Sequence, residues 1–125
     1  MPENNHNVSA LLGIIASRQN DDAAAQEAFT VAIQHADKLL AQTPEYYDAL
    51  DAKGIALCGL ALGEDNGQER INRTNQAVEV FRAARAINKD AGYVVRVVRL
   101  LDALALAVPN GAEILAEPRT VASGQ

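Results

Sequence analysis

Tryptophan is absent from this 125-residue chain, and two Phe and three Tyr are its only aromatic side chains, so no core here rests on many large rings. One cysteine, Cys58, excludes an internal disulfide. Long apolar runs are also missing: the stretch from Leu100 to Val108 is interrupted by Asp102, well short of the roughly 18 apolar residues that a membrane span requires. Membrane insertion is not expected. The first twenty residues, MPENNHNVSALLGIIASRQN, lack the basic start and long apolar stretch of a secretory signal, so a reducing cytoplasm is the expected location.

Positive charge is scarce as well. The net charge of −5 argues against nucleic-acid binding, which needs a concentrated basic face to neutralise phosphates. Its distribution is uneven. Residues 1–69 hold three basic side chains against eleven acidic ones, a net −8, whereas residues 70–125 hold eight against five, a net +3. Arg82, Arg85 and Lys89 recur on one helical face and form a stripe suited to an acidic partner, an ordinary solvated face being the simpler reading.

Chemistry-bearing motifs are few. Neither His6 nor His35 has a Cys or His three or four residues on, so neither shows metal-ligand spacing. Cys58 lies on an apolar helix face and reads as a small packing residue. Asp48 and Asp51 share a face at i,i+3, as paired carboxylates can, yet such a pair is ordinarily solvated surface. Gly59, Gly63 and Gly67 lack the Gly-rich fingerprint and the Lys-Ser/Thr pair of a phosphate loop. No catalytic residue, cofactor or metal is assigned, and an enzyme is not expected.

What the chain has in quantity is alanine, 24 residues, set among Leu, Gln, Glu and Arg, which favours helix nearly everywhere. Only the valine-rich run from Tyr93 to Val98 suggests a strand. It would have no partner, and Arg96 and Arg99 recur at helical spacing, so it reads as helix. The apolar period places a first helix over Val8 to about Arg18 and a second from Asn20–Asp22 to about Gln42. Thr43-Pro44-Glu45 reads as the start of a third, running to Leu62. A fourth begins at Asn66 or as late as Thr74 and ends at Ile87, and a fifth spans Asp90 to about Val108. One domain covers 1–125, with 1–6 and 118–125 as mobile tails.

A repeat runs through these helices. Leu12-Gly13 is followed by Ala25, Phe29 and Ala32, and in the next unit Gly54 is followed by Ala77, Phe81 and Ala84. This resembles the tetratricopeptide repeat, over residues 6 to about 104. Ser9, Ala16, Leu50 and Leu57 replace the family's early Trp and Tyr, Lys53 replaces a Leu, and the second unit has about eleven extra residues between Gly54 and Ala77. The resemblance implies an all-α fold of two antiparallel hairpins plus a closing fifth helix in a right-handed superhelix. The alternative is an irregular five-helix bundle.

The same resemblance implies a non-catalytic adaptor that binds a protein or peptide in a groove. Its aligned positions are Asn7, Ala10, Ile14, Ser17, Asp48, Asp51, Ile55 and Cys58, followed by Tyr93, Arg96 and Leu100 of the fifth helix. That helix is unusually apolar for the end of an array, so Val94, Val98, Leu101, Leu104 and Val108 read as a surface that something covers. A second subunit, giving a homodimer, is one cover; the segment Ala112 to Ala116 folding back is the other. A structural homo-oligomeric subunit is therefore the alternative function, and a small-molecule-binding regulator the third.

Overall fold

The computed structural model describes residues 5–125, and the part of the first expected tail formed by residues 1–4 lies outside them. Seven helices account for most of the described chain, and it contains no strand. They are α1 (His6–Arg18), α2 (Asp22–Gln42), α3 (Tyr47–Leu62), α4 (Gly67–Ile87), α5 (Ala91–Ala105), α6 (Gly111–Ile114) and α7 (Ala116–Ala122). The all-α class stands, and the valine-rich run lies within α5.

Local chemistry sets most boundaries. Asn5, Asp21, Asn66 and Asp90 each accept a hydrogen bond from a backbone N–H in the first turn of the helix that follows, satisfying donors that have no intrahelical partner. Asn66 rather than Thr74 therefore starts α4. Thr43-Pro44-Glu45 does not start α3: the Tyr46 N–H donates to the Thr43 carbonyl at 3.1 Å, closing a turn, and the helix begins at Tyr47. The adjacent rings supply the reason. Tyr46 meets His6 edge-on at 5.7 Å and Tyr47 meets Tyr93 edge-on at 5.1 Å, so tertiary contacts fix the entry into α3.

α1 packs on α2, α2 on α3 and α3 on α4, and α1 also touches α3. Phe29 of α2 is pinched between α1 and α3. A Cβ added to Gly13 or to Gly59 would fall within 3.0 Å of opposite edges of its ring, so both positions need glycine for the helices to approach. Phe81 of α4 rests on Gly54 of α3 in the same way. Both rings are fully buried.

The end of the chain departs from expectation. α5 stops at Ala105, three residues early, and the chain then turns through Gly111, where a Cβ would strike the Ala105 backbone. Residues 118–125, expected as a mobile tail, instead supply most of α7, which packs against α4 and buries Pro118 and Ala122. Pro118 sits in the first turn, where its missing N–H costs nothing. At the other end His6 opens α1 and is buried, so it is no tail either.

The placement of α5 matters most for the site. It lies against α1 and α3, and its Val97, Leu101 and Leu104 join Ala10, Ile14, Ile55 and Cys58 in one core. No helix among the described residues is long and apolar enough to cross a membrane.

Candidate functional site

The residues aligned as a groove do not form an open one. Ala10, Ile14, Asp51, Ile55 and Cys58 are buried, Asn7, Ser17, Asp48, Tyr93 and Leu100 are half-buried, and only Arg96 is exposed. The physical reason is that α5 turns its most apolar side onto α1 and α3. For the same reason Leu101 and Leu104 belong to the core rather than to an oligomer surface, while Val94, Val98 and Val108 stay half-buried. Burial pushes the Cys58 thiol pKa up, which keeps it protonated and unreactive.

Beneath α5 the sequence brings together a polar cluster. Asp48 of α3 accepts from the Asn7 amide at 2.6 Å and from the Tyr93 hydroxyl at 3.2 Å, and its Oδ2 lies 3.1 Å from His6 Nε2. One turn on, Asp51 Oδ2 accepts from Arg85 of α4 at 2.5 Å, with both side chains almost wholly buried. Arg85 also donates to the carbonyls of Asn88 and Ala122, each at 3.0 Å, and its guanidinium stands 5.5 Å from the centre of the Tyr93 ring. The expected stripe of Arg82, Arg85 and Lys89 is thus broken at its middle, with Arg82 and Lys89 outside and Arg85 in the interior.

The two carboxylates differ sharply although they are three residues apart. The hydrogen bond with His6 leads the effects that hold Asp48 below the ordinary carboxylate value, overcoming its partial burial. Burial dominates at Asp51 and outweighs the pull of Arg85, raising it from 3.8 to about 6; its Oδ1 is buried without a hydrogen-bond partner among the described residues. The Tyr93 hydroxyl is raised by burial first, and then by the charges of Asp51 and Asp48. Split carboxylate acidities of this kind can serve acid and base chemistry. Here the cluster is covered by α5 and satisfied largely by its own members, so its evident work is to fasten α1, α3, α4, α5 and α7 to one another.

A pH dependence follows. Asp51 binds its proton more tightly folded than unfolded, so its contribution to stability is full below 3.8 and is lost as the pH rises through about 6. Asp48 has the opposite sign, its contribution being present above 3.8 and lost as the pH falls through its depressed value. Urea midpoints are expected to peak near pH 4–5 and to fall toward pH 7. The fall corresponds to about 2–3 kcal/mol from Asp51, since each tenfold difference in proton affinity between the folded and unfolded chain is worth about 1.4 kcal/mol. Asp51→Asn, which mimics the protonated acid, flattens the alkaline limb; parallel curves for the two proteins would refute the assignment.

The unsatisfied surface lies elsewhere, on the outside of α1. Val8, Leu11, Leu12 and Ile15 recur at i, i+3, i+4 and i+7 on the face opposite Gly13, and each is 40–50% exposed. Beside them α1 and α2 line a depression of about 420 Å³, with Ala16, Ala24 and Ala28 among its lining residues. Periodicity places Val8, Leu11, Leu12 and Ile15 on a helix, but which side faces the core depends on where α2 and α3 pack. A second cavity of about 500 Å³ opens between the end of α3 and the start of α2, with Asp22, Glu64, Asp65 and Arg73 on its walls.

No cluster of three or more His, Cys, Asp or Glu side chains among the described residues is arranged to hold a metal ion. Comparison with known proteins returned nothing: no family model, no curated protein and no solved structure matches this chain.

Proposed function

We propose that this chain is a docking module that binds another protein and performs no chemistry of its own. Its architecture on this reading is tetratricopeptide-like: two helical hairpins in a right-handed superhelix, with α5 laid across the inner side and α7 closing the far end. The paired wedges, Phe29 on Gly13 and Phe81 on Gly54, support that architecture, because both stand at equivalent places in the two units.

One observation carries the functional reading. α1 carries Val8, Leu11, Leu12 and Ile15 as a contiguous apolar stripe, and a stripe of that kind ordinarily faces a core. The far end of the array has its cover in α7; the outer face of α1 has none among the described residues. An array end without a polar outer face is a contact surface waiting for a partner. The docking surface is therefore the outside of α1 rather than the inner groove.

A photoreactive side chain placed at Leu12 in living cells is expected to capture a discrete polypeptide. The same group at Ala83, an exposed position on α4, serves as the control. Equal background labelling at both positions would remove the basis of the proposal. The alternative, a self-assembling structural subunit, draws on Val95 and Leu106, which stand exposed at α5 and just beyond it. It predicts a concentration-dependent sedimentation coefficient.

A further inference from the structure

From the shape and charge around α1 we infer that its partner is an amphipathic helix carrying aliphatic side chains on one face and lysine or arginine beside them. The inference rests on the docking role of the α1 outer face and adds the chemistry of what docks there.

Shape comes first. Val8, Leu11, Leu12 and Ile15 form ridges along the i+3 and i+4 rows of a helix, and ridges of that spacing fit the grooves of another helix. Strand addition by an extended peptide would instead need a sheet edge, and helical residues in mid-chain offer none. Next to the ridges, the depression lined by Leu12, Ile15 and Val31 also has Ala16, Ala24 and Ala28 in its lining, small residues that leave room for a large aliphatic knob.

Charge then selects among helices. The charged residues on the walls of that depression are Asp21 and Glu27, both acidic. More widely, the α1–α2 hairpin carries Asp21, Asp22, Glu27 and Asp37 against Arg18 and Lys38, a net −2, and Asp37 is already paired with Lys53 of α3 at 2.6 Å. A helix with acidic flanks would meet repulsion at the rim, whereas a basic one gains complementary contacts outside a dry apolar centre. A second copy fits less well if it docks α1 against α1, since each presents the same acidic rim.

Two synthetic helices test this. Both carry leucine at i, i+3, i+4 and i+7; one has lysine flanks and the other glutamate flanks. Titration into the intact chain, followed by fluorescence anisotropy, is expected to show the lysine peptide binding about tenfold more tightly in low salt, the gap closing as salt screens the rim charges. Asp21→Asn combined with Glu27→Gln is expected to abolish the preference while leaving the fold intact, because asparagine caps α2 as well as aspartate does. Leu12→Glu, at a half-exposed site, is expected to abolish binding of the lysine peptide. Equal affinity for both peptides overturns the charge assignment and leaves the docking surface standing. Failure of both to bind overturns the surface itself. Self-association lost on Leu12→Glu would give the face to a second copy and refute the inference.

Discussion

Phe29→Ala is expected to destabilise the protein by about 3–5 kcal/mol, a large fraction of the roughly 5–15 kcal/mol that holds a domain folded. The ring fills the space between α1 and α3 at the level of Gly13 and Gly59, and two glycines cannot collapse into the space it leaves. The converse change should be nearly as harmful. Gly59→Ala puts a methyl group into one edge of the ring, and the ring cannot retreat, because its other edge already lies against Gly13. Overpacking of that kind costs about 1–3 kcal/mol or more. Combining Gly59→Ala with Phe29→Leu should recover part of the loss, since the smaller side chain vacates the contested volume. Urea denaturation of these variants and of Phe29→Leu alone checks the set. Independent, additive effects would show that the ring and the glycines are not in the contact described.

Arg85→Met is the second large effect, expected at about 3–5 kcal/mol near neutral pH, the usual cost of leaving one half of a buried ion pair behind. Three bonds are lost together: those to Asp51, to the Asn88 carbonyl and to the Ala122 carbonyl. The deficit should shrink at pH 5, where Asp51 takes up a proton and no longer needs a counter-charge. The double variant Arg85→Met with Asp51→Leu should regain much of the loss, because apolar side chains of similar volume often replace a buried pair without penalty. Hydrogen exchange gives a second readout. Amides of α7 should lose protection in Arg85→Met before those of α2 and α3, since α7 is held through Ala122. Uniform loss across all helices would contradict the role given to Arg85.

Much of the fold was legible because it is local. Asp21, Asn66 and Asp90 cap the helices they precede, and caps are read from a few neighbouring residues. The wedge positions Phe29 and Phe81 were legible as well, from their spacing to the small residues around them. What escaped the sequence was direction. An apolar α5 can face a second molecule or its own chain, and nothing in its periodicity distinguishes Leu101 turned inward from Leu101 turned out. α7 was missed for a different reason: it is seven residues long, it contains a proline, and its stability comes from burying Pro118 and Ala122 rather than from intrinsic preference.

The candidate sites divide along the same line. Asp48 and Asp51 were recognisable as a pair on one helical face, but Asn7, Arg85 and Tyr93 reach them from 34 to 45 positions away. Arg85 looked like one member of a surface stripe until α7 came to lie over it. Val8, Leu11, Leu12 and Ile15 were visible as an apolar helix; that they face outward emerged only once Ala10, Gly13 and Ile14 had taken the inner side.

The hydrogen bonds around Asp48 and Asp51 also bear on how the chain reaches its native state. Helical arrays whose units touch only adjacent units mature progressively, each segment settling as it is made. This fold cannot, because His6 of α1 and the Ala122 carbonyl of α7 belong to one bonded assembly with α3 at its centre. Such separations raise contact order and slow the final step. During synthesis the preceding helices can form as they emerge from the ribosome, yet the assembly closes only after α7 has left the exit tunnel.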